Sequence, residues 1–230
     1  MNHSYFSSSI GRKQIVAATG LILILFILGH LAGNLFIYFG PEAFNHYAKK
    51  LAGLRPFLYL IEFGLLGIFL IHMYFTVLLV LENIKARGQT YRLKKDKGNP
   101  AWATKWMAYT GTLILVFVIY HLLDFTFTDH HGPRSMLVDG QSYGLYGVVY
   151  NSFLNPLHSF FYIICMIAVG THLSHGVESF VQTFGFNHPR YTPKILKFSQ
   201  CFAVVVTLGY SSIPIYIFLK NFNMASGICH

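Results

Sequence analysis

Four histidines stand where a histidine is costly. His30, His72, His121 and His172 each fall in a different long apolar stretch of this 230-residue chain. An ionisable side chain at membrane depth faces a partner inside a helix bundle and marks function, and neutral imidazole is a common metal ligand. One such residue alone reads as a hydrogen-bonded structural histidine. Four, one per stretch, read as the ligands of two metal centres, each held by two helices. His175 follows His172 by three residues and lies on nearly the same side of a helix, so spacing alone allows either as the ligand. His46, His130, His131, His158 and His188 fall in connections or at span ends and read as solvated or interfacial, while His3 and His230 are terminal.

Helices long enough to cross a bilayer must carry these residues. Five apolar spans are expected, at 14–38, 57–84, 105–127, 155–183 and 195–219, each near the roughly 20 residues that a crossing needs. They make 1–230 one transmembrane domain. The composition agrees: 54% of residues are hydrophobic and only 11% charged, against about 25% charged in a soluble domain. The net charge of +9 therefore reads as membrane topology, and nucleic-acid binding is excluded. Arg12 and Lys13 precede the first apolar run as they would in a signal peptide, but no small-residue cleavage site follows, so the run reads as a retained span. Cys165, Cys201 and Cys229 form no CxxC pair, so neither a zinc site nor an iron–sulfur cluster is expected.

The connections sort by charge. Lys85, Arg87, Arg92, Lys94, Lys95 and Lys97 crowd the second, against Asp96; the N-terminus has Arg12 and Lys13, and the fourth connection has Arg190 and Lys194. The bias places these segments in the cytoplasm. Lys49, Lys50 and Arg55 in the first connection run against it, with less charge. A rise of about 1.5 Å per residue then puts His30 and His121 each roughly 24 Å from the cytoplasmic end of its span, and His72 and His172 about 17–18 Å. The pairs are His30 with His121, nearer the outside, and His72 with His172, nearer the inside. An internal echo accompanies them: Thr19-Gly20 precedes His30-Leu31 and Thr110-Gly111 precedes His121-Leu122, with one offset. Eleven residues is close to three turns, so each Thr shares a face with its His about 16 Å toward the cytoplasm. Small residues there leave room for a flat group held by the other two helices; Thr and Gly also recur wherever membrane helices pack closely.

Haem takes axial imidazoles, and a planar macrocycle between helices needs one ligand from each side. Zinc or non-haem iron would bring carboxylates or several His to one depth, yet Glu62, Glu82, Asp124 and Glu178 all stand toward span ends. The expected fold is an all-α membrane protein with five transmembrane helices, four of them a bundle around two b haems.

The chain resembles the single-chain, di-haem cytochrome b subunit of the succinate:quinone oxidoreductases, the membrane anchor of succinate dehydrogenase and fumarate reductase. The residues that carry the resemblance are Ser9-x-Gly11-Arg12-Lys13, Thr19-Gly20, His30-Leu31-x-x-Asn34, Gly40-Pro41-Glu42-Ala43-Phe44-Asn45, His72 with Tyr74, Trp102-Ala103, Met107 before Gly111, His121, and His172-Leu-Ser-x-Gly176. It extends over most of the chain, and the ordered set is more specific than any one motif. It implies the same histidine pairs, with His175 a neighbour of the ligand. It further implies a bacterial cytoplasmic membrane, a flavoprotein with FAD and an iron–sulfur protein docked on the cytoplasmic face, and electron exchange with menaquinone or another quinone. Dicarboxylate chemistry would occur on the flavoprotein, and the basic 85–105 connection would face the iron–sulfur subunit.

For the haem propionates, Arg12, Lys13 and Lys105 are the candidate partners at the inner end; basic residues there also snorkel. Some fumarate reductases of the family carry a proton-transfer Glu two residues before the fourth-helix ligand, where this chain has Gly170, and a quinone-site Glu where it has Ala52. Glu42, His46 and Glu62 are the remaining candidates for a quinone region near the outer end. Two other readings compete. A cytochrome b subunit of a formate dehydrogenase or hydrogenase would also be bis-histidine but is disfavoured by the GPEAFN connection and the single His per span. A haem-free transporter would be expected to carry inverted repeats and broken helices.

Overall fold

The computed structural model describes residues 8–87, 102–186 and 188–225. Among them are seven α-helices: α1 Ser9–Asn34, α2 Gly40–Ala52, α3 Phe57–Arg87, α4 Trp102–His121, α5 Gly144–Leu154, α6 Pro156–Thr183 and α7 Thr192–Ala225. Five helical segments are long and apolar enough to cross a membrane; each overlaps one expected span, the first running on from Ser9 to Ala52. They are apolar all round because one face packs on other helices and the other meets lipid. Phe63, Leu60, Val205 and Leu208 are largely exposed on the outer faces, a pattern that water would not tolerate over such an area.

Local chemistry sets the ends. Ser8 caps α1, its Oγ accepting from Gly11 N at 3.0 Å. Asn155 caps α6 by accepting from Leu157 N and His158 N, and Pro156 opens that helix, where a missing N–H costs nothing. A 3₁₀ turn, Leu35–Phe39, ends α1; Gly40 at φ 89° turns the chain into α2, a backbone that a Cβ would strain. Pro214 lies inside α7 without interrupting it.

The helices that carry the histidines pair as α1 with α3 and α4 with α6; α6 also packs along α1 and, most extensively, along α7. The chain directions make α1 and α4 parallel to each other and antiparallel to α3 and α6. The start of α1 and the end of α3 lie at one end of the bundle, the basic end. At the other end the third connection is folded, whereas the sequence reading treats 128–154 only as a connection. After a π-helical turn, Leu122–Thr126, and a 3₁₀ turn, Pro133–Ser135, the short helix α5 lies against α2 and α7. Asn45 on α2 ties it down, donating from Nδ2 to Tyr143 O (2.7 Å) and accepting at Oδ1 from Tyr146 N (3.1 Å). Tyr146, Val148, Val149, Tyr150 and Phe153 are all buried there. A Cβ on Gly147 would stand 2.0 Å from the Ser135 carbonyl oxygen, so only glycine permits this crossing. The outcome is a four-helix bundle flanked by α7 and closed at one end by a cap of α2, α5 and the turns between.

Candidate functional site

The cap-end pair of histidines meets directly. His30 on α1 and His121 at the end of α4 have ring centroids 5.8 Å apart and planes at 89°. Phe26 stacks on His30 at 5.4 Å, and Phe117 and Phe125 flank His121 at 5.6 and 5.4 Å. Tyr210 on α7 comes within 6.2 Å of the His30 ring and donates from its hydroxyl to Ile27 O at 2.7 Å. The fifth span thus contributes a side chain beside this pair. His121 Nδ1 is buried and has no hydrogen-bond partner.

The basic-end pair is positioned by the other two helices. His72 on α3 has Nδ1 3.0 Å from Thr19 Oγ1 on α1, and His172 on α6 has Nδ1 3.2 Å from Thr110 Oγ1 on α4. The adjoining glycines make the approach possible. A Cβ on Gly20 would stand 3.3 Å from His72 Cε1, and one on Gly111 3.5 Å from His172 Cε1. Each Thr precedes the cap-end His of its own helix by eleven residues, so the two pairs are separated by about 16 Å along the bundle.

This donor set suits haem and not a bare ion. Among the described residues no group of three or more His, Cys, Asp or Glu converges to hold a metal. Two imidazoles satisfy a metal whose other ligands come with a macrocycle. A metal–imidazole bond is about 2 Å, and a ring centroid lies roughly 1 Å behind its nitrogen. Two imidazoles sharing one iron therefore have centroids about 6 Å apart, close to the His30–His121 separation. His30 and His121 would hold one haem and His72 and His172 the other.

Next to the cap-end pair lies a polar cluster that the sequence reading did not assign. Asp124, one turn beyond His121, is buried. Its Oδ1 accepts from Arg134 Nη2 at 2.6 Å and its Oδ2 from Tyr162 Oη at 3.0 Å. His158 Nε2 is 3.1 Å from Oδ2, within ion-pair range but out of line for a hydrogen bond. His158 Nδ1 is 3.0 Å from Tyr120 Oη. Arg134 also donates to Asp124 O, Thr128 Oγ1 and Ser152 Oγ, locking the third connection onto the bundle. The available signal was Asp124, a carboxylate in an apolar run, and Arg134, the one cation of the connection that follows.

The remaining candidates separate. At the basic end Arg12 is ion-paired with Glu82 of α3, and Lys13 is exposed. Lys105 stands in the first turn of α4, and nothing is described of its side chain. At the capped end Glu42 and His46, one turn apart on α2, line one groove with Phe39 and Ala43. Glu62 is not part of that groove; it reaches Arg55 at 3.9 Å. Gly170 presses against α7, where a Cβ would stand 2.0 Å from Thr207 Oγ1 and 3.3 Å from Ala203 O, so a Glu has no room there. Arg92, Lys94, Lys95, Asp96 and Lys97 of the basic connection, with His3, Cys229 and His230, lie outside the described residues.

No protein-family model matches the chain, and no solved structure matches it. A search of curated proteins does find a relative. Over 214 residues, covering 90% of this chain and 93% of the relative, the chain is 24% identical to the succinate dehydrogenase cytochrome b558 subunit of Bacillus subtilis (strain 168). The chain is a multi-pass membrane protein similar along nearly its whole length to a succinate dehydrogenase cytochrome b subunit.

Proposed function

We propose that this chain is the membrane-anchor and electron-transfer subunit of a succinate:quinone oxidoreductase. The observation that carries the reading is that His30 and His121 face each other under the cap while His72 and His172 lie about three turns nearer the basic end, each against a Thr of the neighbouring helix. The near-full-length likeness to a succinate dehydrogenase cytochrome b subunit supports it. Each haem, when bound, supplies a one-electron centre between the two membrane surfaces. His72 and His172 hold the one nearer the basic end, His30 and His121 the one under the cap.

The chain's own residues provide the rest. Apolar and aromatic side chains around His30 and His121 keep that centre dry, which sets its potential as much as its ligands do. The excess of Lys and Arg supports a cytoplasmic basic end, in a bacterial membrane. A flavoprotein carrying FAD and an iron–sulfur subunit dock there, with the 85–105 connection facing the latter. Succinate is oxidised or fumarate reduced on the flavoprotein. Quinone, menaquinone in the di-haem branch, exchanges electrons with this chain, and the groove of Glu42 and His46 is the quinone region we favour. Arg12, Lys13 and Lys105 would be the candidate partners of the inner haem's propionates.

The test is to purify the chain from its native membrane in mild detergent and add succinate, formate or hydrogen in turn. Bleaching of a co-purifying covalent flavin and reduction of the b-haem bands by succinate alone is the expected result. Reduction by formate or hydrogen, without flavin, would replace the reading with a different dehydrogenase.

A further inference from the structure

Thr19 and Thr110 do the same thing twice. In each case the hydroxyl is presented by the first helix of an antiparallel pair to the histidine of the second: α1 to α3, α4 to α6. The chain thus contains two copies of one unit, in which a Thr-Gly step lies three turns before one histidine and beside another. Each proposed haem takes one ligand from each copy.

Proton counting bears on what the hydroxyls do. A threonine hydroxyl has one proton and two acceptor lone pairs. Thr19 Oγ1 lies 2.7 Å from Ile15 O and 3.1 Å from Val16 O; Thr110 Oγ1 lies 3.1 Å from Trp106 O and 3.2 Å from Met107 O. A carbonyl can only accept; with each hydroxyl proton given to a carbonyl of its own helix, Oγ1 offers the imidazole a lone pair and Nδ1 is the donor. With the proton held on Nδ1, the Nε2 lone pair is left for a metal. The cap-end pair has no such arrangement at His121, whose Nδ1 is unpartnered, and the Asn34 side chain near His30 bonds the backbone carbonyl of His30.

We infer that Thr19 and Thr110 are positioning residues for the basic-end haem: they set the tautomer and ring plane of His72 and His172, while Gly20 and Gly111 give the rings access to them. The inference rests on the haem reading proposed above. An acceptor behind Nδ1–H makes an imidazole a stronger donor to its metal, which favours the ferric state. Removing it raises the reduction potential of that haem and leaves the other unchanged.

The test uses the whole complex carrying Thr19→Val, Thr110→Val, Thr19→Ser or Thr110→Ser. Haem content is measured first, then a redox titration of each haem and the low-spin ferric EPR spectrum. A wild-type preparation without two b haems would overturn the haem reading and this inference with it. Given two haems, the expected result is that both Val variants shift one midpoint upward and alter one EPR signal, while the Ser variants stay near wild type. Loss of that haem in the Val variants with retention in the Ser variants also supports the inference. Val variants indistinguishable from wild type, or Ser variants as perturbed as Val, would overturn it, because the threonines would then act only through packing.

Discussion

His30 and His121 face each other across the capped end of the bundle with ring centroids 5.8 Å apart and planes nearly perpendicular. They come from parallel helices, and each is the only histidine of its helix. Replacing either with Ala leaves one imidazole on that centre. Each variant should retain one b haem per chain, with the basic-end haem unchanged in its spectrum and potential. Haem quantification against protein checks this; a variant that keeps both haems would show its histidine to be misassigned.

The complementary variants, His72→Ala and His172→Ala, should remove the basic-end haem. The matching variant of His175 should keep both haems, since Thr110 meets His172. Loss of a haem from His175→Ala with retention in His172→Ala would reverse the assignment.

The Asp124–Arg134 pair should matter for the cap and not for the haem count. Arg134→Ala leaves a buried carboxylate with Tyr162 as its remaining hydrogen-bond donor. Breaking a fully buried pair costs about 3–5 kcal/mol; Arg134 is itself half-exposed, which lowers the expected loss to about 2–3 kcal/mol. Asp124→Asn, which keeps an acceptor for Arg134, should lose less. Thermal unfolding in detergent gives the order. Equal stability of Arg134→Ala and wild type would remove the clamp from the account.

At Gly170 the prediction concerns packing. Gly170→Glu forces a side chain into Thr207 and the Ala203 carbonyl, and overpacking of this kind costs about 1–3 kcal/mol or more. The variant should be less stable and should gain no proton pathway, because the position faces α7. A stable variant with new pH-dependent turnover would contradict this geometry.

For quinone, the shared groove separates the candidates. Glu42→Gln and His46→Gln should slow quinone turnover several-fold with both haem spectra intact, whereas Glu62→Gln, held by Arg55 outside the groove, should change it little. Steady-state kinetics with a soluble quinone make the comparison, and the reverse ranking would move the site to α3.

The spans and the depth order of the histidines were legible because both follow from apolar length and helical rise; the spacing was not, for the span ends put the pairs roughly 6–7 Å apart and the Thr contacts about 16 Å. The pairing of His30 with His121 was legible for the same reason. What escaped the sequence depends on contacts between distant segments. The hydroxyl contacts of Thr19 and Thr110 join residues 53 and 62 positions apart; the repeat pointed to the faces, and read them as space rather than as acceptors. The cap escaped because α5 is too short to span a membrane and is apolar without being amphipathic, so it has meaning only once α2 and α7 cover it. Gly170 read as a lost glutamate, whereas its role is the close approach of α6 to α7.

Four histidines that hold two haems should show in one absorption spectrum. The chain is purified in mild detergent with its accompanying subunits, from cells not limited for haem, and its reduced-minus-oxidised absorption is recorded beside a haem assay. Two b-type haems per chain is the result this account predicts. A folded preparation without haem would contradict it and return His30, His72, His121 and His172 to the role of a haem-free polar path through the membrane.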